Sequence, residues 1–176
     1  MYQYHLCRTS AQKLKKAYPQ LDPAGLCQAL QISLYPHTDF RDLKGMFAMV
    51  LGRPCIFYNA NLSLQEQKLV LAHELGHYSL HQEVLLSSNV FLDHSIFTPL
   101  SRLEREANLF AAELLIEDSE LVTLVEEGKT VSEIGASLGL DPNIVIYKAE
   151  LLKDMGMPLQ LPGPPDSVFL AKREPI

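Results

Sequence analysis

The sequence has few cysteines, and their pattern does not indicate a disulfide framework. Cys7, Cys27 and Cys55 are odd in number, none stands in Cys-x-x-Cys spacing, and each lies among apolar or helical residues. We therefore expect three buried free thiols in a protein from a reducing compartment.

Excess positive charge and long apolar runs are also missing. The net charge is −6, so no global basic field would recruit nucleic acid or an anionic membrane. No apolar run approaches the ~20 residues that cross a bilayer, and residues 1–8 do not resemble a secretory signal. With 47% hydrophobic residues in a chain of 176, we expect a soluble cytoplasmic protein with one main domain.

What the chain does contain is a long predicted helix with a metal-binding motif. Ser63 followed by Glu66 forms a capping box, and no proline interrupts the run from 63 to 83. Inside this run, residues 73–77 read His-Glu-Leu-Gly-His. Four helical residues turn about 400° and rise about 6 Å, so the two histidines project from one face, one turn apart.

This spacing predicts a zincin-type site. His73 and His77 can converge on one metal ion, while Glu74, rotated by about 100°, can take a proton from a metal-bound water. The alternative is two surface histidines on an amphipathic helix. The apolar residues around the motif argue for a buried helix, where an imidazole pair without a partner is costly.

The remaining segments predict an α+β fold. We expect a small antiparallel sheet packed against the metal-site helices, with flanking and C-terminal helices. Two apolar strands over 46–51 and 54–58, joined by Gly52-Arg53, form a hairpin. This hairpin serves either as core or as an edge that holds an extended peptide. The other predicted elements are helices over 8–18 and after Asp22-Pro23, a strand over 32–35, and a loop with a short helix over 84–97.

A later helix, predicted over 100–116, offers the third metal ligand. A catalytic zinc site with two histidines needs one more protein ligand and an open water position. Glu104 is the preferred candidate, because Asn108 lies one turn on and can hydrogen-bond a ligating histidine. Glu106, rotated by about 200°, would then face solvent. The alternative is that Glu104 is a solvated charge, since acids favour helix N-termini anyway.

Residues 69–81 (LVLAHELGHYSLH) and 104–115 (EREANLFAAELL) together resemble the ImmA/IrrE family of zinc metallopeptidases, which pairs AHELGH with ExEANxFAAxLL. The resemblance runs from about residue 22 to 115. It implies a gluzincin-like site with one zinc ion, His73, His77 and Glu104 as ligands, and Glu74 as general base. It also implies a helix-turn-helix repressor of bacterial, phage or mobile-element genes as the protein substrate.

Two other classes of function stay open. The protein could bind a repressor or sense metal without cutting, or regulate DNA with a structural zinc. Such a zinc usually has a fourth protein ligand, often cysteine, and no cysteine lies in either metal-site helix. His81 continues the face of the two histidines. It serves either as a cleft residue that stabilises the oxyanion or as a packing histidine near the helix end.

The chain divides into a peptidase-like domain over 1–116, a helical segment over 117–156 and a flexible proline-rich tail over 157–176. The helical segment resembles a helix-turn-helix whose second helix offers Asn143, Tyr147 and Lys148 to a groove. It lacks a basic face, so we expect it to pack on the core rather than to bind DNA. The oligomeric state is left open.

Overall fold

A computed structural model describes residues 2–87, 102–157 and 159–161, and in these it shows an α+β fold. The α+β prediction is therefore confirmed. Its elements are α1 (Tyr2–Ala17), α2 (Pro23–Ala29), β1 (Ser33–His37), β2 (Gly45–Val50), β3 (Arg53–Asn59), α3 (Leu64–Ser87), α4 (Arg102–Leu115), α5 (Asp118–Glu126), α6 (Val131–Leu138) and α7 (Pro142–Asp154).

The sheet is mixed, so the prediction of a purely antiparallel sheet was wrong. The strand order is β1-β3-β2, with β2 antiparallel to β3 and β1 parallel to β3. The β2–β3 hairpin pairs with β1 through its second strand, so β3 lies between β1 and β2. Because β3 reverses β2, it runs in the same direction as β1.

The hairpin turn lies one residue earlier than predicted. Val50 pairs with Arg53, so the loop consists of Leu51 and Gly52, with φ angles of 51° and 75°. Two consecutive positive φ angles are the requirement of a type I′ turn, which matches the twist of the flanking strands. The first strand also continues through Pro36, which an edge strand such as β1 tolerates.

The predicted helix starts are confirmed at two caps. The Asp22 carboxylate accepts a hydrogen bond of 2.8 Å from the backbone N–H of Gly25 at the start of α2. Ser63 and Glu66 form the reciprocal capping box of α3, with hydrogen bonds of 3.0 and 3.3 Å. Helix α3 extends to Ser87, so residues 84–87, predicted as loop, are helical. Residues 88–101, which include the rest of that predicted loop and the start of the next helix, lie outside the described residues.

Helix α4 is the centre of the fold and packs against α1, α3 and α7. Every residue from Glu106 to Glu113 is buried. Helices α3 and α4 approach closely at Gly76, where an added Cβ would lie 2.9 Å from the Cα of Ala107. The glycine thus allows the two helices to touch backbone to backbone, which positions any side chain at the start of α4 against α3.

The helices after α4 fold back onto the core. One apolar cluster joins α5, α6 and α7 to α3 and α4, with Leu121, Ile134 and Val145 fully buried. Lys148 is also fully buried, and its ammonium lies 2.6 Å from the Glu113 carboxylate. Lys148, one of the three side chains that the disfavoured helix-turn-helix alternative offered to a groove, is therefore held by a carboxylate on α4 instead.

None of the described helices is both long and apolar enough to cross a lipid bilayer. The predicted flexible tail over 157–176 falls mostly outside the described residues, of which only 157 and 159–161 belong to it.

Candidate metal centre

Two adjacent turns of α3 and the start of α4 bring three potential ligands together. The Nε2 atoms of His73 and His77 lie 3.1 Å apart. One carboxylate oxygen of Glu104 lies 3.2 Å from His73 Nε2, and the other lies 3.3 Å from His77 Nε2. The two imidazoles are buried, and the Glu104 side chain is 15% exposed. The structure thus brings together the three residues predicted as ligands, and they form a candidate metal-binding group.

The spacing of these atoms fits a single small divalent ion. A tetrahedral ion with bonds of about 2.0 Å separates its ligand atoms by about 3.3 Å. The Nε2–Nε2 distance of 3.1 Å is close to this value, and each imidazole nitrogen has a different oxygen of Glu104 beside it, at 3.2 and 3.3 Å. Two imidazole nitrogens and a carboxylate oxygen are also ligands that zinc accepts, and they leave a fourth position for water.

The electrostatics of the group favour a cation. Burial raises the pKa of the Glu104 carboxyl, but hydrogen bonds and charge from His73 and His77 outweigh this effect and hold that pKa well below its usual range. Burial lowers the pKa of the His73 imidazole, but Glu104 and Glu74 outweigh it and raise that pKa above its ordinary value. The raised pKa of His73 reports the negative charge of the two carboxylates, and the lowered pKa of Glu104 keeps its carboxylate ionised and able to bind a cation.

Asn108 fixes the orientation of one imidazole. Its Oδ1 lies 2.9 Å from Nδ1 of His73, and its Nδ2 donates to the hydroxyl of Tyr147 at 3.4 Å. Because an amide oxygen only accepts, Nδ1 of His73 carries the proton and Nε2 presents its lone pair. This contact is the one expected from the spacing of Glu104 and Asn108.

Glu74 has a buried carboxylate with one unused oxygen. The residue is 2% exposed, and its Oε2 has no hydrogen-bond partner among the residues that the structure describes. Its other oxygen lies 3.1 Å from the position of a Cβ added to Gly45, at the start of β2. A buried acceptor without a donor is costly, and a water molecule bound beside the three ligands would satisfy it.

His81 and Glu106 differ from expectation. Glu106, predicted to face solvent, is 4% exposed, because α1 and α3 cover α4 on both sides. Its Oε2 lies 2.9 Å from Nε2 of His81, whose Nδ1 is 3.2 Å from Nδ1 of His77. Both ring nitrogens of His81 face protein groups, which favours the packing role over the oxyanion role.

Glu106 is the residue of this group that sequence reasoning missed. A signal was present, since Arg102 lies four residues before it and His81 four residues after His77, the spacing at which helical side chains meet. Considered together, the pairs Arg102–Glu106 and His77–His81 would have placed the Glu106 carboxylate beside His81, the last of the three histidines on this face of α3. A rotation angle measured from Glu104 alone could not show this.

The chain matches one protein family over most of its length. It matches the family described as IrrE N-terminal-like domain over residues 30–150. It is 30% identical over 145 residues to "Uncharacterized immunity region protein 2" of Bacillus phage phi105, covering 82% of this chain and 90% of that protein. It is 35% identical over 95 residues to "Metallopeptidase ImmA" of Bacillus subtilis (strain 168), covering 50% of this chain and 52% of that protein. A family match over more than half of the chain, with a phage relative matched almost end to end, places this chain in the ImmA/IrrE metallopeptidase family.

Proposed function

We propose that the protein is a zinc-dependent metallo-endopeptidase that cleaves a transcriptional repressor. The observation that carries the proposal is the juxtaposition of two imidazole nitrogens and a carboxylate with a buried oxygen of Glu74 that has no partner in the described part of the chain. His73, His77 and Glu104 would hold the ion, and two histidines with a glutamate are a zinc set typical of peptidases.

Each residue then has one task in peptide hydrolysis. When bound, the ion polarises the scissile carbonyl and lowers the pKa of its water to about 7. Glu74 would act as the general base, taking up a proton from the attacking water at Oε2 and later giving it to the leaving amine. Asn108 keeps His73 in the tautomer that presents Nε2. Burial of Glu74 excludes bulk water from this proton transfer.

The sheet supplies a place for an extended peptide. Strand β2 is at one edge of the described sheet, and it begins against α3 beside Glu74. A Cβ on Gly45 would lie 2.3 Å from a methyl carbon of Val70, so only glycine allows this approach. Main-chain groups of the β2 edge can pair with a substrate strand and place its carbonyl near the base.

The substrate class follows from the relatives. One is named as an immunity-region protein of a phage and another as the metallopeptidase ImmA. Both names agree with the substrate class that the family resemblance implies, a helix-turn-helix repressor. The acidic net charge supports recognition of a protein rather than of DNA itself.

The test compares Glu74→Gln with His77→Ala on a repressor encoded beside this protein, with fragments identified by mass spectrometry. We expect Glu74→Gln to bind zinc with wild-type affinity and to abolish cleavage, because the amide cannot accept the proton. His77→Ala should lose both. The control Glu126→Gln, an exposed carboxylate on α5, should keep both.

Cleavage by Glu74→Gln at the wild-type rate would refute the assignment of the base. Release of the repressor from DNA by the wild type without new fragments would refute the peptidase and favour a module that binds without cutting. That alternative is favoured by one observation only, the close packing of α7 on α4, which can transmit partner binding to the metal site.

A further inference from the structure

A row of hydrogen bonds leads from the metal centre to the protein surface. His77 Nδ1 lies 3.2 Å from His81 Nδ1, and His81 Nε2 lies 2.9 Å from Glu106 Oε2. The other oxygen of Glu106 accepts a hydrogen bond of 2.7 Å from Nε of Arg102. His77, His81 and Glu106 are buried, and the Arg102 side chain is 71% exposed. The row therefore begins at Nδ1 of the candidate ligand His77 and ends at an exposed guanidinium.

The chemistry of the groups fixes the direction of every bond in this row. A guanidinium has donors only, and a carboxylate has acceptors only, so His81 must donate to Glu106 through Nε2. The neutral imidazole of His81 then has its lone pair on Nδ1. His77 must donate to that lone pair from its own Nδ1, which leaves the lone pair of His77 on Nε2.

We propose that Arg102, Glu106 and His81 are positioning residues that hold His77 in the tautomer with its proton on Nδ1. The inference rests on the proposed function, because it takes His77 to be a metal ligand. In that tautomer Nε2 points its lone pair at the centre, 3.1 Å from His73 Nε2 and 3.3 Å from Glu104 Oε1. The other tautomer places a proton on the ligand atom and opposes metal binding.

Each of the two candidate ligand histidines is thus oriented by its own hydrogen bonds, and both sets of bonds end at a residue of α4. His73 donates directly to Asn108, whereas His77 donates through a second histidine to Glu106. A metal-bound histidine usually donates its other N–H to a carboxylate, a carbonyl or water, and such partners contribute 10–100-fold to metal affinity. Here the imidazole of His81 lies between the two groups, so the Glu106 carboxylate orients His77 indirectly.

The sharpest perturbation is Glu106→Gln. It preserves the shape of the side chain but reverses the direction of the two hydrogen bonds that join residue 106, His81 and His77. Arg102 can donate only to the amide oxygen, so the amide NH₂ turns towards His81 and donates to its Nε2. His81 then carries its proton on Nδ1 and donates to His77, which is left with its proton on Nε2. We expect the Kd for Zn²⁺ to rise by about 10–100-fold.

Two further variants separate this effect from loss of structure. Glu106→Gln combined with Arg102→Ala frees the amide to turn its oxygen towards His81, so zinc affinity should return to within about threefold of wild type. The matched control is Glu113→Gln, which also neutralises a buried carboxylate on α4, but one that is bonded to Lys148. The control should lower stability and leave the Kd for Zn²⁺ unchanged.

The experiment reads the tautomer of His77 directly, by long-range ¹H–¹⁵N NMR of the full chain without metal, and the Zn²⁺ affinity by competition with a chelator. The expected result is a proton on Nδ1 in the wild type and on Nε2 in Glu106→Gln, with recovery in the double variant. Retention of the Nδ1 proton of His77 in Glu106→Gln, or its absence in the wild type, overturns the inference. If the wild type shows the expected tautomer but binds no zinc, the proposed function fails while the hydrogen-bond row stands.

Discussion

Replacing Gly76 with alanine tests whether the contact between α3 and α4 positions the metal centre. The added Cβ would lie 2.9 Å from the Cα and 3.0 Å from the carbonyl oxygen of Ala107, whereas ordinary contacts begin at 3.4 Å. Both obstructing atoms belong to the backbone, so no side-chain rotation relieves the clash. Helix α4 must therefore move away from α3 by about 0.5 Å, the difference between 3.4 and 2.9 Å.

The same displacement reaches the ligand. Glu104 lies three residues before Ala107, so its carboxylate moves with the helix, and metal–ligand distances tolerate only about 0.2 Å. Overpacking a core costs about 1–3 kcal/mol, while alanine in place of glycine inside a helix returns about 1 kcal/mol. We expect the free energy of unfolding without metal to fall by at most about 2 kcal/mol, and the Kd for Zn²⁺ to rise at least about tenfold.

The assay combines urea unfolding of the metal-free protein with a zinc titration against a chelator. Gly25→Ala is the matched control, because its Cβ would meet side-chain atoms of Leu21 and Asp22 at 3.3 Å, away from the centre. It should leave zinc affinity unchanged. Ala107→Gly should not rescue Gly76→Ala, since the clash is with the backbone. Wild-type zinc affinity in Gly76→Ala would refute the reasoning.

Two further predictions concern groups away from the metal centre. Burial raises the pKa of the Asp118 carboxyl, but Arg8 and Lys148 outweigh it and hold that pKa at about 2, below the model-peptide value of 3.8. The unfolded chain thus binds this proton more tightly, so the stabilisation is full above about pH 4 and is lost as the pH falls through 2. Because the Asp118 carboxyl is about one-third exposed, we expect its contribution to the free energy of unfolding to be about 1 kcal/mol. Urea unfolding should show this difference between wild type and Asp118→Asn at pH 7, and parallel stability curves between pH 4 and 2 would contradict it. Burial also raises the pKa of the Cys7 and Cys27 thiols to about 12, so iodoacetamide at pH 8 should label them only after denaturation, and rapid labelling of the native protein would be inconsistent with their burial.

The parts of the site that the sequence predicts are those set by local geometry. The spacing of His73 and His77 places both rings on one face of any helix, and the capping box at Ser63 marks where that helix begins. Glu104 and Asn108 obey the same one-turn rule on α4. These inferences need only the period of a helix, which is the same in every protein.

The parts that the sequence does not predict depend on contacts between distant segments. The parallel pairing of β1 with β3 depends on which gap the hairpin fills, and no residue in β1 encodes that choice. Glu106 was placed in solvent on the assumption that α4 has one buried face. The N-terminal helix α1 covers the opposite face, so a residue half a turn away from the ligand is buried as well.

Residues 106–113 of α4 are buried, and the C-terminal helices supply part of the packing around them. These helices therefore help to hold α4 beside the metal centre. Helix α7 supplies the Tyr147 hydroxyl that orients the amide of Asn108, and the Lys148 ammonium that pairs with Glu113. Removing one partner of a buried ion pair costs about 3–5 kcal/mol, so α7 cannot leave α4 without exposing or stranding that charge. The ion pair accounts for the docking of α7 on α4, and the Tyr147 hydroxyl for its contact with the metal centre, without any contact to DNA.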